Sequence, residues 1–353
     1  MTDVHYLMPA EWAEQTAIWL GWPHNRADWP GKFGPVPWAF AEMIRYVARH
    51  QRVGVLIKDE VRKREAVDAL EDVGADMSRI DLVDISTNRG WLRDCGPIFV
   101  RRQADRQLVA LDWRFNAWAK YSNWQKDDAV PEAIGDLLKV ERVAPTWPLG
   151  GTRSKRVVLE GGAIDVNGLG TLLTTEGCLL SDSVQVRNPG FGREDYERCF
   201  AHWLGATNVI WLGHGIVGDD THGHVDDITR FVGDGMVVTC IETDTSDANH
   251  APLRDNLQRL KAATDQDGKP LTIVELPMPR PLHFEGQRLP ASYANFLITN
   301  RYVLVPTFND PADRVALTIL AECFKNREVV GIHAVDLVWG LGTLHCLTQQ
   351  QPA

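Results

Sequence analysis

Near its C-terminal end the sequence reads Gly340-Leu341-Gly342-Thr343-Leu344-His345-Cys346-Leu347-Thr348-Gln349-Gln350. The glycines predict a tight turn, and Leu344 to Thr348 predicts a short strand with no partner strand after it. Close to the other end, the apolar run Ala17 to Trp22 predicts a strand with no partner before it. We expect these two segments to pair, because their pairing closes the chain into a ring without free sheet edges.

Between these two segments, a unit made of a hairpin, a helix and a strand is predicted four times. Turn dipeptides such as Asn167-Gly168 and Asp234-Gly235, each flanked by apolar runs, indicate the hairpins. With the closing pair, the pattern predicts one α/β domain over residues 1–353, built as a ring of five repeated units. A non-repeating α/β domain with hairpins is the alternative.

The predicted elements follow the apolar periodicity along the chain. Helices are predicted at 38–50, 60–73, 129–138, 193–204, 252–263 and 311–324. The hairpins are predicted at 97–102 with 108–115, 163–166 with 171–175, 228–232 with 236–241 and 293–299 with 302–306. The remaining strands are predicted at 53–57, 80–85, 157–159, 209–212, 271–276 and 329–332, the last four being the returning strands of the units.

Composition excludes several classes of function. The 353 residues carry a formal net charge of -10, which disfavours nucleic acid and anionic membranes as partners. No apolar run is long enough to cross a bilayer, and the start, Met1 to His5, lacks a basic region followed by an apolar one. The six cysteines are scattered singly, so we expect reduced thiols, no zinc knuckle and a cytoplasmic protein.

Polar clusters recur once in each predicted unit. They contain Asp94, Glu160, His224, Asn295 and Cys346, separated by 66, 64, 71 and 51 residues. In a ring, the turn after the inner strand of each unit reaches the same axis. We therefore expect these clusters to meet in one central funnel.

A cysteine and a histidine are the minimal set for nucleophilic catalysis, although a buried structural role is the alternative for a single cysteine such as Cys346. Several carboxylates beside a thiol raise its pKa, which makes sense when the substrate brings positive charge. A guanidinium is planar, permanently charged and suited to carboxylates. Asp94 and Asp226 would then grip the guanidinium and Cys346 would attack its carbon, while His224 would transfer protons.

Glu160 would orient and charge His224, and no metal or cofactor is needed. The run His222-Gly223-His224-Val225-Asp226 also has metal-ligand spacing, so a metal-dependent hydrolase remains an alternative.

The motifs resemble those of the agmatine deiminase family, which is similar to the bacterial-type peptidylarginine deiminases. The resemblance spans nearly the whole chain and rests on ordered motifs: Pro9-Ala10-Glu11-Trp12, Trp22-Pro23-His24-Asn25, Trp91-Leu92-Arg93-Asp94-Cys95-Gly96-Pro97, Phe115-Asn116-Ala117-Trp118, Glu160-Gly161-Gly162, Asp219-Asp220-Thr221-His222-Gly223-His224-Val225-Asp226, Ala291-Ser292-Tyr293-Ala294-Asn295-Phe296 and Leu344-His345-Cys346-Leu347-Thr348-Gln349-Gln350.

The resemblance implies a pentein fold, a five-bladed pseudo-symmetric α/β propeller with a central active-site funnel. It implies hydrolysis of agmatine to N-carbamoylputrescine and ammonia, without a cofactor, in putrescine biosynthesis. By motif, Cys346 matches the nucleophile, His224 the acid and base, Glu160 the partner of the histidine, and Asp94 and Asp226 the guanidinium clamps. Trp91 matches a residue of the substrate channel, and Asp220 stands where the family usually has a Glu near the far amine.

Three positions depart from the family pattern: Asp220 is one methylene shorter than Glu, Thr343 replaces an Asn, and Cys95 replaces a Thr. The identity of the substrate therefore stays open: it is agmatine, or it is free or peptidyl arginine. For the two arginine substrates, an Arg near the entrance is expected. Asp219 and Asp220 favour an amine. A non-catalytic binding protein of the same fold is a further alternative, and we expect a homodimer because two-fold dimers are the commonest assemblies.

Overall fold

The computed structural model describes residues 5–148 and 154–353. The expectation about Met1 to Val4 lies outside the described residues. The helices, including single turns, are α1 Val36–Ala48, α2 Glu60–Asp72, α3 Leu92–Cys95, α4 Gln125–Asp128, α5 Val130–Leu138, α6 Glu176–Leu179, α7 Arg193–Leu204, α8 His250–Ala262, α9 Pro311–Cys323 and α10 Leu344–Leu347. Short 3-10 turns cover Met77–Arg79, Ala117–Ala119, Gly161–Ala163, Val225–Asp227 and Val338–Gly340.

The strands are short, as expected for runs bounded by turn residues. They are β1 Tyr6–Leu7, β2 Gln15–Gly21, β3 Arg52–Ile57, β4 Ile80–Asp84, β5 Ile98–Arg102, β6 Leu108–Leu111, β7 Glu141–Val143, β8 Thr146–Pro148, β9 Ser154–Arg156, β10 Asp165–Val166, β11 Thr171–Thr175, β12 Asn208–Leu212, β13 Thr229–Gly233, β14 Met236–Ile241, β15 Thr272–Pro277, β16 His283–Phe284, β17 Gln287–Arg288, β18 Leu297–Ile298, β19 Tyr302–Thr307, β20 Glu328–His333 and β21 Thr348–Pro352.

Within the described residues, five sheets share one strand order. In each, a first strand pairs antiparallel with a second, and the second pairs parallel with a third that follows a helix. A parallel neighbour requires such a crossover, which the predicted helices supply. The five sets are β5-β6-β7, extended by β1; β10-β11-β12; β13-β14-β15; β18-β19-β20; and β21-β2-β3, extended by β4.

The first and last parts of the chain meet in one sheet. β21 runs antiparallel to β2, with Thr348 opposite Leu20 and Gln351 opposite Ala17. The Trp19 indole adds a hydrogen bond from Nε1 to Gln351 Oε1 at 2.9 Å. The edge of β2 is thereby covered by residues more than 300 positions away.

The six long helices are confirmed, with ends within two residues of the predicted ones. One returning strand was wrongly predicted. Val157 to Leu159 makes only an isolated bridge from Val158 to Arg114, whereas the third strand of that sheet is β7, parallel to β6. Val157 to Leu159 is apolar because it is buried. β7 lacks the apolar run that predicts a strand, because Glu141 and Arg142 are exposed at a sheet edge.

The short turns before the hairpins were also predicted incorrectly as strand. Leu344 to Leu347 is a helical turn, and the strand begins only at Thr348. Likewise, residues 293–296 lie outside β18, and Ala163, the predicted start of a strand, belongs to the 3-10 turn Gly161–Ala163 before β10. The polar clusters therefore precede the first strand of each hairpin, rather than following an inner strand as expected.

Buried apolar side chains form two clusters in the described part of the chain. The larger includes Phe40, Ile44 and Val47 of α1 and reaches Cys346, and the smaller surrounds Trp113 and Phe200. The larger cluster thus forms the floor under the polar turns. Across residues 5–148 and 154–353, none of the helices combines the length and the apolar character needed to cross a membrane.

Candidate active site

Asp94 lies on α3, the helical turn that begins after Trp91. Its Oδ1 accepts a hydrogen bond from the Gly162 amide at 3.1 Å, and its Oδ2 accepts one from Trp118 Nε1 at 2.8 Å. Trp118 is held in the left-handed region (φ 57°) between two alanines with similarly positive φ. A non-glycine residue pays energy for such a backbone, and strained residues of this kind cluster at functional sites. The strained turn positions the indole against Asp94.

Three site residues converge over Gly162. A Cβ atom placed on this glycine would lie 2.5 Å from His224 Nδ1, 2.9 Å from Asp94 Oδ1 and 3.1 Å from Asp226 Oδ2. A side chain would therefore collide with all three, so the close approach requires glycine. The sequence expectation that these distant positions meet agrees with this geometry.

His224 is completely buried beside carboxylates. Its Nδ1 lies 3.7 Å from Asp94 Oδ1 and its Nε2 lies 4.0 Å from Glu160 Oε2. Within the described residues, neither ring nitrogen has a hydrogen-bond partner. Burial acts to lower the pKa of His224, but Asp94, Cys178 and Asp226 raise it well above its ordinary value. The neighbouring carboxylates therefore favour the protonated form of the ring.

Glu160 is engaged by a cation that the sequence interpretation did not anticipate. Arg187 donates from Nε to Glu160 Oε1 at 2.9 Å, and both side chains are fully buried. Arg187 also donates to the carbonyl oxygens of Gln185 at 2.9 Å and Thr221 at 2.6 Å. Glu160 Oε2 remains directed towards His224 without a hydrogen bond among the described residues. The carboxylate is thus fixed by Arg187 and reaches the histidine only at 4.0 Å.

Cys346 is anchored by Asn295. Asn295 Nδ2 donates to Cys346 Sγ at 3.0 Å and to Asp227 Oδ1 at 3.0 Å. Asn295 Oδ1 accepts hydrogen bonds from Thr343 Oγ1 at 2.8 Å and from the amides of His345 and Cys346 at 3.1 and 3.3 Å. One amide side chain therefore fixes both the sulfur and the turn that carries it.

The thiol lies among negative groups. Cys346 Sγ is 3.6 Å from Asp226 Oδ2. Burial, followed by Asp226, Asp227 and Asp94, raises the pKa of the thiol well above its ordinary value of 9.0. Burial likewise raises the pKa of Asp94 to about 6, although His224 opposes the shift. The resting site therefore holds a protonated thiol.

Asp226 differs from its neighbours because it stays ionised. Burial acts to raise its pKa, but a hydrogen bond from His345 Nδ1, at 2.7 Å from Asp226 Oδ2, lowers it below the ordinary value. The adjacent Asp227 shows the opposite shift, since burial and the charge of Asp226 raise its pKa well above 3.8. Asp226 Oδ1 is buried and has no hydrogen-bond partner within the described residues.

A cavity of about 230 Å³ opens over the sulfur and is lined by several of these groups. Its lining includes Cys346, Asp94, Trp91 and Asp220, all predicted site residues, whereas His224, Asp226 and Glu160 lie behind it. Aromatic walls and convergent polar groups are typical of small-molecule sites. The lining also includes Asp28, Arg89, Trp118 and Tyr121.

The outer part of the cavity carries charges of both signs. Asp220 forms an ion pair with Lys120 and accepts a hydrogen bond from the Tyr121 hydroxyl at 2.8 Å. Asp28 accepts a hydrogen bond from Trp91 Nε1 at 3.3 Å and lies 3.4 Å from Arg89 Nε. Burial raises the pKa of Asp28 to about 7, with Arg89 opposing the shift.

The metal-ligand spacing noted in the sequence is not assembled in the described residues. His222, His224 and Asp226 do not form one group of neighbouring ligand atoms. His224 instead neighbours Glu160 and Cys178, while Asp226 neighbours Asp227 and Cys346. The run of alternating residues therefore divides between two sides of the site.

A family model described as Porphyromonas-type peptidyl-arginine deiminase matches residues 7–352. The chain belongs to this family. The resemblance seen in the motifs is therefore confirmed. Among curated relatives, the agmatine deiminase of Stutzerimonas stutzeri (strain A1501) is 37% identical to this family member, covering 99% of this chain and 96% of the relative.

Solved structures of the family share the mixed α/β fold. The agmatine deiminase of Enterococcus faecalis superposes with a TM-score of 0.88 at 32% identity, covering 98% of this chain and 96% of that chain. The C. jejuni agmatine deiminase with substrate bound has a TM-score of 0.87 at 27% identity, covering 100% of this chain and 98% of that chain.

Sequence reasoning missed several polar partners in this deiminase-family site. Asn295 carried a signal, since it occupies the polar position of its unit, but its role was not assigned. Trp118 stood in a family motif, but its contact with Asp94 was not predicted because a strained backbone brings it to the site. Arg187 gave no signal, because a long-range ion pair brings it there. His345 was overlooked beside the cysteine.

Proposed function

We propose that this protein is an agmatine deiminase, which hydrolyses agmatine to N-carbamoylputrescine and ammonia. The observation that carries the proposal is the position of the Cys346 sulfur, 3.6 Å from Asp226 in a cavity that Asp94 also lines. These carboxylates raise the pKa of the thiol unless a cation enters. A guanidinium supplies that cation and matches two carboxylates.

In the first half of the reaction, Cys346 forms a bond to the guanidino carbon while Asp94 and Asp226 hold the guanidinium nitrogens. The thiol releases its proton to solvent water in the open cavity as the substrate charge approaches. His224, protonated because its pKa is raised, donates a proton to the leaving nitrogen. The carbon–nitrogen bond then breaks, ammonia leaves, and an amidino group remains bound to the sulfur.

In the second half, water replaces ammonia. His224, now deprotonated, accepts a proton from the water as its oxygen bonds to the amidino carbon. The carbon–sulfur bond breaks, the thiol regains a proton, and the ureido product leaves. Glu160 supports the charge on His224 from 4.0 Å, with Arg187 fixing the carboxylate. Atoms and charge balance without a metal or cofactor.

The tail of the substrate decides between agmatine and arginine. Asp28 and Asp220 in the cavity favour the terminal ammonium of agmatine. Arg89, which also lines the cavity, favours the carboxylate of arginine as a second candidate substrate. However, Arg89 already donates to Asn123 Oδ1 at 2.8 Å and stacks over the Tyr121 ring at 4.2 Å. Asp220 is likewise paired with Lys120, but the lining contains the acids Asp28, Asp94 and Asp220 against the one cation Arg89, so the amine is the better fit.

The test measures ammonia release from agmatine, free arginine and a peptidyl arginine, with mass spectrometry of the protein after quenching. We expect the highest kcat/KM with agmatine and an amidino adduct on Cys346. Citrulline formed faster than N-carbamoylputrescine would transfer the assignment to the arginine substrates. Activity kept in Cys346→Ala but lost with a chelator would instead establish the metal-dependent alternative.

The same proposal extends to the architecture and setting. The five sheets of equal strand order support a five-bladed α/β propeller of the pentein type, formed by one domain whose terminal segments close the ring. A homodimer, a cytoplasmic location and a role in putrescine biosynthesis complete the proposal. The location is supported by the six cysteines, which all fall in the described residues and are all free.

A further inference from the structure

His345 precedes the nucleophile, yet it faces away from the cavity and lies between two carboxylates. Its Nδ1 is 2.7 Å from Asp226 Oδ2, and its Nε2 is 2.9 Å from Glu11 Oε2. Glu11 comes from the N-terminal part of the chain and is itself fixed, since its Oε1 accepts a hydrogen bond from the Ile298 amide at 2.8 Å. The reaction described above gives neither His345 nor Glu11 a role.

The hydrogen bonds indicate the protonation of the ring. Burial acts to raise the pKa of Glu11, but Arg230 and His345 lower it below its ordinary value, and the pKa of Asp226 is also lowered. Both carboxylates are therefore ionised and can only accept, so both nitrogens of His345 donate. A positive charge on the His345 ring also balances the charges of the buried groups around it. The cluster contains three carboxylates, Glu11, Asp165 and Asp226, and three cationic side chains, Arg93, Arg230 and His345. Buried charges are tolerated when they are paired in this way.

Arg230 and Arg93 hold the cluster together. Arg230 forms ion pairs with Glu11 and Asp165 and donates to the carbonyl oxygens of Ala294 and Phe296. Arg93 donates from Nε to the His345 carbonyl at 3.2 Å. The ring of His345 is therefore confined on its Glu11 side and cannot rotate away from Asp226 without breaking several buried bonds.

We propose that His345 is a positioning residue for the deimination: by donating Nδ1–H to Asp226 Oδ2, it keeps this carboxylate ionised and leaves Oδ1 free for the guanidinium. Glu11 fixes the ring from the opposite side. This inference rests on the proposed function for the identity of the ligand. The titratable and charged groups that face Asp226 or act on it are His345, Cys346, His224, Asp94, Asp227, Arg230 and Arg93.

A matched pair of variants separates positioning from packing. In His345→Asn the side-chain amide takes the place of Nδ1 and keeps a donor to Asp226. In His345→Gln the amide takes the place of Nε2, so the contact with Glu11 is kept and the donor to Asp226 is lost. Without that donor, burial raises the pKa of Asp226. Both variants lose the imidazolium charge and each keeps one of the two ring hydrogen bonds, so their comparison shows which bond controls the ionisation of Asp226.

The measurement is kcat and KM for agmatine between pH 4.5 and 9, with thermal stability recorded for each variant. Because the pKa of Asp226 is low and that of Asp94 is about 6, the wild-type acid limb reports Asp94 alone. We expect His345→Gln to raise the pKa of Asp226 into the same range, so that the limb becomes steeper and KM at pH 5 rises about tenfold beyond the wild-type change, as one pKa unit changes the ionised fraction tenfold. His345→Asn should change less on both counts. Equal limbs in both variants, or equal shifts, would overturn the inference.

Two further measurements keep the test decisive. If His345→Gln does not fold, Glu11→Gln is the replacement. It removes the countercharge of His345 and should change the acid limb in the same direction by a smaller amount; an unchanged limb contradicts the proposal.

Nitrogen NMR of the wild-type protein, with His345 assigned by comparison with His345→Asn, should show both ring nitrogens protonated at pH 7. A neutral ring overturns the inference even when agmatine is not a substrate, whereas absent deimination with a protonated ring rejects only the proposed function.

Discussion

The Cys346 thiol is unusual among nucleophiles because its surroundings disfavour the thiolate. Cysteine nucleophiles are commonly activated by nearby positive charge. Here burial and the charges of Asp226, Asp227 and Asp94 raise the pKa of the thiol. The nucleophile therefore becomes reactive only with a cationic ligand, which protects the free protein from unwanted electrophiles.

This arrangement predicts slow alkylation of Cys346 in the free protein. With iodoacetamide, labelling at pH 7.5 should be far slower than for an ordinary cysteine and should increase only as the pH passes 9. Asp226→Asn removes the charge 3.6 Å from the sulfur, so labelling at pH 8 should increase about tenfold. Peptide mapping measures the rate at Cys346, and Asp68→Asn, at an exposed position of α2, serves as the control. Fast labelling of the wild type at neutral pH would contradict a protonated resting thiol.

The raised pKa of Asp94 predicts the pH at which kcat/KM falls on the acid side of its profile. Its pKa is raised to about 6 in the free protein, and only its ionised form can hold a guanidinium. The kcat/KM for agmatine, which reports on groups of the free enzyme, should thus fall as the pH is lowered through about 6. Asp94→Asn should remove this limb and reduce kcat/KM by about 10² to 10³. A wild-type limb near pH 4 would show that Asp94 does not control binding.

At the scale of elements, the site is made by short helical turns that precede strands. Asp94, Asp226 and Cys346 lie on the turns 92–95, 225–227 and 344–347, and Glu160 immediately precedes the turn 161–163. A single turn of helix can aim a side chain along the strand that follows, towards the end of the sheet. The turn that contains Cys346 also depends on Asn295, which belongs to the neighbouring unit.

Asn295→Ala is therefore expected to affect activity more than stability. It removes the hydrogen bonds that place the sulfur and the Thr343 to Cys346 turn, and a misplacement of about 1 Å can lower kcat about 10²-fold. Asn300→Ala is the matched control, because Asn300 also bonds to backbone groups, those of Gln15, but lies outside the cavity. The control should lose about 1 to 2 kcal/mol of stability in urea unfolding and keep kcat. Equal kcat losses would assign Asn295 a structural role only.

The elements differ in how far the sequence could predict them. Helices such as 193–204 and hairpins around Asn167-Gly168 follow local rules, periodicity and turn chemistry, and were predicted correctly. β7 was missed because an exposed edge strand needs no apolar pattern. Val157 to Leu159 was wrongly assigned because burial, rather than strand pairing, explains its apolar character.

The site was predicted through residue chemistry, and its partners were missed for a physical reason. Cys346, His224 and the carboxylates stand in motifs beside glycine, so their types and spacing suggested a reaction. The contacts of Trp118, Arg187 and Glu11 depend on tertiary structure: a left-handed turn, an ion pair between buried segments, and a bond across 334 positions to His345. Sequence spacing carries no record of such contacts.

At the scale of the whole molecule, the first and last strands depend on each other. β21 continues directly from the turn that carries Cys346 and pairs with β2, so the nucleophile is held by residues from the start of the chain. Arg93 extends this connection by donating to Gln350 Oε1 at 2.5 Å. Loosening of the terminal pair would therefore release the nucleophile together with the sheet.

This coupling predicts that unfolding is a single event for all probes. In urea, activity, tryptophan fluorescence and far-ultraviolet circular dichroism should change together, because the terminal pair joins the sheet to the site. Gln351→Ala, which removes the acceptor of the Trp19 indole, should lower the common midpoint through a loss of about 1 to 2 kcal/mol. Gln258→Ala, at an exposed position of α8, is the control and should change stability by less than about 0.5 kcal/mol. Loss of activity in Gln351→Ala at a much lower urea concentration than loss of the circular dichroism signal would contradict this prediction. That result would mean that β2 and β21 separate before the rest of the protein unfolds, and that their pairing does not hold the site.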